Sequence, residues 1–277
     1  MRIVRRFILA AVVIVAALAG LVVLGLRVRP KSLAAYPAGT PPLDTVEIPA
    51  NLPAPVARYA RAAFGERIPV VRTAIVSGRG WLRFGGIKFP ARWRFVYYAG
   101  EGYRHYIEAT LFGQPVLKVN EYYLDGHSRL ELPFGVVENE PKVDQAANLG
   151  LWAESLWLPS IWFTDPRVRW EPIDDNSARL VVPFGAEEDA FTVWFDPDSG
   201  LITRMETMRW RDAGDTEKIL WRNEALAWMH ANGVQVPAHG TVTWMDEGRP
   251  WFSLEAEEII YNVEVDDLIR SKTPQGL

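Results

Sequence analysis

Between residues 70 and 134 apolar and polar positions alternate with a period of two. Segments 71–84, 88–98, 103–112 and 115–124 read as successive strands, and 127–134 completes the run. Gly85-Gly86, Gly100-Glu101-Gly102 and Gly113-Gln114-Pro115 separate them. Links that short join antiparallel neighbours, because a parallel pair needs a long crossover. The same rhythm returns at 168–171, 178–184, 191–195, 201–210, 218–228, 234–244 and 250–261. Asp174-Asp175-Asn176, Asp196-Pro197-Asp198-Ser199-Gly200 and Asp246-Glu247-Gly248 have turn composition. Eleven or twelve strands result.

Two segments break the rhythm with helical spacing. Residues 53–64 open on proline, which suits a first turn, and place Val56, Tyr59, Ala60 and Ala63 on one face. Residues 142–158 carry a wide apolar stripe of Ala146, Leu149, Trp152, Ala153, Leu156 and Trp157, with Lys142, Gln145 and Asn148 off it. Pro159 ends this second helix. Its surroundings hold four of the twelve tryptophans, Trp152, Trp157, Trp162 and Trp170. The pattern predicts a mainly β, α+β fold: a strongly curved antiparallel sheet, a half-barrel of about 11 strands, with a central helix on its concave side.

Residues 7–26 contain no charge and no proline. At about 1.5 Å per residue such a helix spans roughly 30 Å, the thickness of a bilayer core. Ala17-Leu18-Ala19 resembles a signal-peptidase site, yet the apolar run continues through Leu24, which favours an uncleaved anchor. Three basic residues flank the span on each side, so the positive-inside count is level. A short tail and a large, non-spanning domain break the tie in favour of a cytoplasmic N-terminus. Six of the 30 Lys and Arg are those flanking residues, which leaves 24 against 34 Asp and Glu, a charge of about −10 for the rest. So acidic a domain is a poor partner for nucleic acid or an anionic surface. Six prolines between 30 and 53 mark a tether. The expected organisation is a cytoplasmic tail (1–6), a transmembrane anchor (7–26), a tether (27–52) and an extracytoplasmic β domain (53–277).

Candidate chemistry is sparse. The absence of cysteine removes disulfides and thiolate chemistry. His105, His127, His230 and His239 show no metal-ligand spacing, so neither a metal nor a cofactor is expected. Asp196-x-Asp198-x-Gly200 opens like a calcium loop, but Thr207 stands where a glutamate is required, and a hairpin turn is the better reading. Gly126-His127-Ser128-Arg129-Leu130 lacks the closing glycine of a nucleophile elbow. Gly78-x-Gly80 reads as small residues in a bent strand rather than a dinucleotide loop. No catalytic residue is assigned. Glu154, between Trp152 and Trp157, has two readings. It is either a helix-flank carboxylate paired with Arg92, Arg94 or Arg169, or one polar anchor in an apolar cavity. The tryptophans fill a core or line a site for a greasy ligand. The candidate ligand-binding set is Trp93, Trp152, Glu154, Trp157 and Trp162.

Leu52-Pro-Ala-Pro-Val-Ala-Arg-Tyr59, Glu154-Ser-Leu-Trp-Leu-Pro-Ser160 and Val168-Arg-Trp-Glu-Pro-Ile-Asp-Asp-Asn-Ser-Ala178 resemble an uncharacterised bacterial membrane-protein family, a domain of unknown function. Gly233-Val-Gln-Val-Pro-Ala-His-Gly-Thr-Val-Thr-Trp244 fits its closing hairpins, so the likeness covers about residues 50–262. It implies a bacterial envelope location and brings no activity. The architecture of anchor, tether and curved sheet is similar to the lipoprotein carriers LolA, RseB and LppX, which implies a lipid, acyl chain or lipoprotein as partner. The resulting expectation is a non-enzymatic binding protein held by a single span in the inner membrane, with its C-terminal domain extracytoplasmic. An envelope assembly factor with a fully packed core is the alternative, and an envelope hydrolase comes third.

Overall fold

The computed structural model describes residues 2–132 and 135–271. The first helix, α1 (Arg2–Gly25), is followed by β1 (Thr45–Glu47), α2 (Ala54–Phe64) and β2 (Arg67–Pro69). A first meander holds β3 (Thr73–Phe84), β4 (Ile87–Tyr98), β5 (Gly102–Leu111), β6 (Gln114–Leu124), β7 (His127–Leu132) and β8 (Gly135–Glu138). Next come α3 (Pro141–Glu154), a 3-10 turn (Ser155–Trp157) and α4 (Ile161–Thr164). A second meander holds β9 (Arg169–Asp174), β10 (Ser177–Phe184), β11 (Glu187–Phe195) and β12 (Ile202–Arg209), then β13 (Ile219–Ala231), β14 (Val234–Trp244) and β15 (Arg249–Tyr261). The helix α5 (Asp266–Arg270) follows.

Both meanders belong to one curved antiparallel sheet of 13 strands. Its order is β8-β7-β6-β5-β4-β3-β15-β14-β13-β12-β11-β10-β9. The strand spans agree with the alternation to within a few residues. The count exceeds the expectation because β8 was too short to register. The predicted end of β7 at Phe134 lies outside the described residues. β1, inside the proline-rich stretch, pairs with β2, just beyond α2, in a separate two-stranded sheet.

The two halves join where β15 pairs with β3. That seam needs glycine. A Cβ on Gly80 would lie 1.9 Å from the Ser253 carbonyl oxygen, and one on Gly78 would lie 2.0 Å from that of Glu255. The bent-strand reading of Gly78-x-Gly80 therefore holds, and its cause is backbone approach across the seam.

The central helix is shorter than predicted, and it is not amphipathic. Asp144 and residues 146–153 are all buried, because α3 is enclosed between the two arms of the sheet. Asn148, expected off the apolar stripe, is buried and donates to the Pro183 carbonyl at 3.1 Å and to Asp189 at 3.2 Å. The outer face of the sheet is covered as well. Ile75 and Val96 pack there with Val265 and Ile269, against Tyr36.

Residues 29–40 lie along that outer face. Arg29 pairs with Glu255 at 2.6 Å, Ser32 donates to Glu257 at 2.8 Å, and Arg94 donates to the Ala34 carbonyl. The Tyr261 amide donates to Thr40 at 2.9 Å. Within α1 the 22-residue stretch Val4–Gly25 is long and apolar enough, by length and composition, to cross a membrane.

Candidate functional site

Register across β4, β5 and β6 places Phe95, His105 and Glu121 in one row, with Tyr97, Tyr103 and Tyr123 in the next. These rows face α3. The His105 ring lies between Phe95, with centroids 4.0 Å apart, and Tyr103, stacked at 3.9 Å. Its Nε2 is 2.7 Å from Glu154 Oε2 at the end of α3, and its Nδ1 is 3.7 Å from Glu121 Oε2. The Nε2 contact is out of line for a hydrogen bond, so it acts through charge. Tyr97 donates to Glu154 at 3.0 Å and Tyr103 to Glu121 at 2.5 Å.

Burial opposes a charge on His105, but the Glu154 and Glu121 carboxylates outweigh it and hold the pKa up at about 9. Burial likewise opposes the Glu121 charge, yet His105 and the Tyr103 hydroxyl keep its pKa below the usual carboxylate range. The pair therefore stabilises the folded chain over a definite window. The His105 contribution, on the order of 3 kcal/mol, is complete below pH 6.5 and is lost as pH rises through about 9. The Glu121 contribution is present above the ordinary carboxylate range and is lost as pH falls through its lowered value. Urea midpoints measured across this range should decline on the alkaline side, and a His105→Gln variant should flatten that limb.

Above this charged floor lies a cavity of about 270 Å³. Its apolar wall includes Ile107, Leu156, Trp157, Val242, Phe252 and Leu254. Arg209, at the end of β12, reaches into it. Its Nε donates to the Ala146 carbonyl at 2.9 Å, and its guanidinium lies 4.3 Å from the Trp221 ring and 5.4 Å from that of Trp244. Burial lowers its pKa. Among the described residues Arg209 has no ion-pair partner within 4.0 Å. Three further donors in the wall, Trp221 Nε1, Trp251 Nε1 and Asn223 Nδ2, are buried and unpaired among the described residues. The same lining holds the carboxylates of Glu121, Glu154 and Glu224, and the first two act on Arg209 through charge.

The structure separates the sequence-predicted residues. Glu154 and Trp157 line the cavity. Trp157 is fixed by its indole nitrogen, which donates to the Pro237 carbonyl at 3.0 Å. Trp93 is fully buried behind Trp157, stacked on it at 5.4 Å. Trp152 is fully buried beside Gly100, outside the cavity wall. Trp162 packs with Tyr59 and Trp170 in a separate aromatic cluster under α2.

The arginine partner expected for Glu154 is not what the fold supplies. Arg92 pairs with Glu108, Arg94 reaches Ser77 and Glu258 on the outer face, and Arg169 pairs with Glu171 and Glu188. Alternation along β4 explains two of these, since Arg92 and Arg94 point away from the face that Phe95 and Tyr97 share. Tyr103, His105, Glu121 and Arg209 were missed. Asp196 accepts from the Ser199 amide at 2.8 Å and hydroxyl at 2.9 Å, as a hairpin turn requires. Among the described residues no three His, Asp or Glu side chains are grouped to hold a metal ion.

Among solved structures, the chain is similar to a DUF1329 family protein from Desulfovibrio piger (12% identity, 72% of this chain and 89% of that chain, TM-score 0.45). It is similar to a putative outer membrane lipoprotein-sorting protein domain from Vibrio parahaemolyticus (11% identity, 77% and 92%, TM-score 0.43). It is also similar to a LolA superfamily protein from Nitrosomonas europaea (11% identity, 78% and 95%, TM-score 0.45). No curated protein matches the chain. The model of one family, described as "Family of unknown function (DUF6544)", matches residues 43–255, most of the chain. The resemblance read from the motifs is thereby placed: this protein is a member of the DUF6544 family.

Proposed function

We propose that this protein is a membrane-anchored extracytoplasmic binding protein whose cavity holds one acyl chain or lipid without transforming it. The cavity under α3 carries the reading. Small-molecule sites join apolar walls to a few fixed polar groups, at volumes of roughly 300–1,000 Å³, and this one has both features at about 270 Å³. Arg209 and the unpaired donors of Trp221, Trp251 and Asn223 favour a ligand with an acidic, oxygen-rich end. The aliphatic remainder fits against Ile107, Phe252 and Leu254. Glu154 is already engaged by His105 and Tyr97, so ligand orientation falls to Arg209, and Glu154 supports the floor beneath it.

The charged floor is read as structural. A general base must be unprotonated near its working pH, whereas His105 titrates at about 9 between two carboxylates. A fully packed assembly factor lacks the void that α3 covers here. In the proposed arrangement residues 1–6 are cytoplasmic and 7–26 cross the inner membrane once. Residues 27–52 then lead to the β domain outside.

Titration of the amphipol-held chain with a dansyl-labelled fatty acid tests this. Saturable uptake is expected, and Arg209→Gln should weaken it at least about tenfold, equivalent to the loss of one charged hydrogen bond. Equal affinity in both proteins would remove Arg209 from the site, and no uptake in either would remove the ligand reading.

A further inference from the structure

Among the described residues, the first meander turns twice at one end of the sheet, between β3 and β4 and between β5 and β6, and β8 starts at that same end. The described residues at these tips are unusually apolar for a water-facing edge. Ile87 is 48% exposed, Phe112 48%, Val116 54% and Val136 49%. Hairpin tips normally carry polar turn residues. Single exposed apolar side chains need no explanation, but a row of them along one rim does.

The same rim meets the end of α1. The Phe112 amide donates to the Gly25 carbonyl at 2.9 Å. The approach is so close that a Cβ on Gly25 would lie 2.7 Å from side-chain carbons of Leu111 and Phe112. Residues beyond α1 are then pinned to the outer face, with Arg79 donating to the Pro30 carbonyl at 3.0 Å and to Glu257 at 2.6 Å. The sheet is thus docked on its anchor and does not swing on a free tether. Lys88 lies 3.9 Å from the Trp81 ring beside the first tip, a pairing suited to the headgroup layer.

The cavity reaches this end too. Arg211, Trp244 and Trp251 belong to its wall and also to a shallower pocket lined by Arg83, Gly85, Gly86, Glu247 and Arg249, next to the β3–β4 tip. A mouth at this place would face the surface on which the rim would rest.

We infer that the β3–β4 and β5–β6 tips, with the start of β8 beside them, form a bilayer-docking rim. It sits in the leaflet at the C-terminal end of α1 and holds the cavity mouth against the lipid, so that a ligand passes between membrane and cavity without crossing bulk water. This rests on the reading of α1 as a membrane span and of the cavity as a lipid site. The occupant of the rim is the bilayer itself, because the apolar tips continue directly from the end of the apolar helix.

The chain has no cysteine, so single labels are simple to place. Full-length Ile87→Cys, Val116→Cys and, at the opposite end of the sheet, Ile173→Cys (52% exposed) would each carry an NBD probe. The proteins would be reconstituted in phosphatidylethanolamine–phosphatidylglycerol liposomes containing acyl-chain nitroxide lipids. Quenching at 87 and 116 several-fold stronger than at 173 is the expected result. Equal, weak quenching at all three positions in liposomes that carry the protein on flotation would overturn the rim. A chain that fails to float would remove the anchor and the inference with it. Tip quenching without fatty-acid uptake in the titration above would keep the rim and sink the cavity reading alone.

Discussion

Replacement of His105 by leucine is expected to destabilise the chain by about 3–5 kcal/mol. The imidazolium holds Glu121 and Glu154 together from two strands and a helix. Without it, two half-buried carboxylates face each other across an apolar ring stack, and each has only a tyrosine hydroxyl as a close partner. Breaking one side of a buried pair costs more than the pair contributes, because the abandoned charge remains. Adding Glu121→Gln and Glu154→Gln to the leucine variant should therefore restore most of the loss. Urea unfolding followed by tryptophan fluorescence measures both. A loss below about 1 kcal/mol would show that water screens the carboxylates in place of His105.

Gly80→Val should be comparably severe. The seam between β3 and β15 is where the two meanders become one sheet, and a Cβ at Gly80 would meet the Ser253 carbonyl at 1.9 Å. The obstacle is backbone, which has no rotamer to change. Either the strands separate or the seam bends, at a cost of at least about 3 kcal/mol. The melting temperature should fall by roughly 6 °C or more. Gly86→Asn is the control. Gly86 has a positive φ of 81°, but a Cβ there meets nothing within 4 Å. Asparagine accepts that conformation, so the change should cost less than about 1 kcal/mol. Similar melting temperatures for the two variants would contradict this account of the seam.

Much of the fold was legible because alternation survives wherever a strand buries one face. The glycine-rich turns then fix which strands are neighbours. The enclosure of α3 was not legible. A helix buried on every side shows no clean stripe, and Asn148 looked solvent-facing although its partners, Pro183 and Asp189, come from β10 and β11.

The charged floor was hidden by one residue. Counted back from the β5–β6 turn, where Leu111 pairs with Gln114, His105 would face Asn120. A bulge between Ala109 and Thr110 shifts the register and brings Glu121 opposite His105. Asn120 then turns outward to Arg104, which donates to it at 3.0 Å. A bulge has no reliable signal in a single sequence, and one was enough to move a carboxylate from the outer face to the cavity. Arg209 was missed for another reason. Its role depends on β12 lying across the concavity from β5, a pairing of distant segments that no local pattern encodes.

The most direct test of the central claim is native mass spectrometry of the full-length chain extracted from bacterial envelope without refolding. A stoichiometric bound lipid or fatty acid is expected, depleted in Arg209→Gln and absent in Ala153→Phe, which fills the cavity from α3. A clean apo mass, with no uptake of added phospholipid or fatty acid, would contradict that claim.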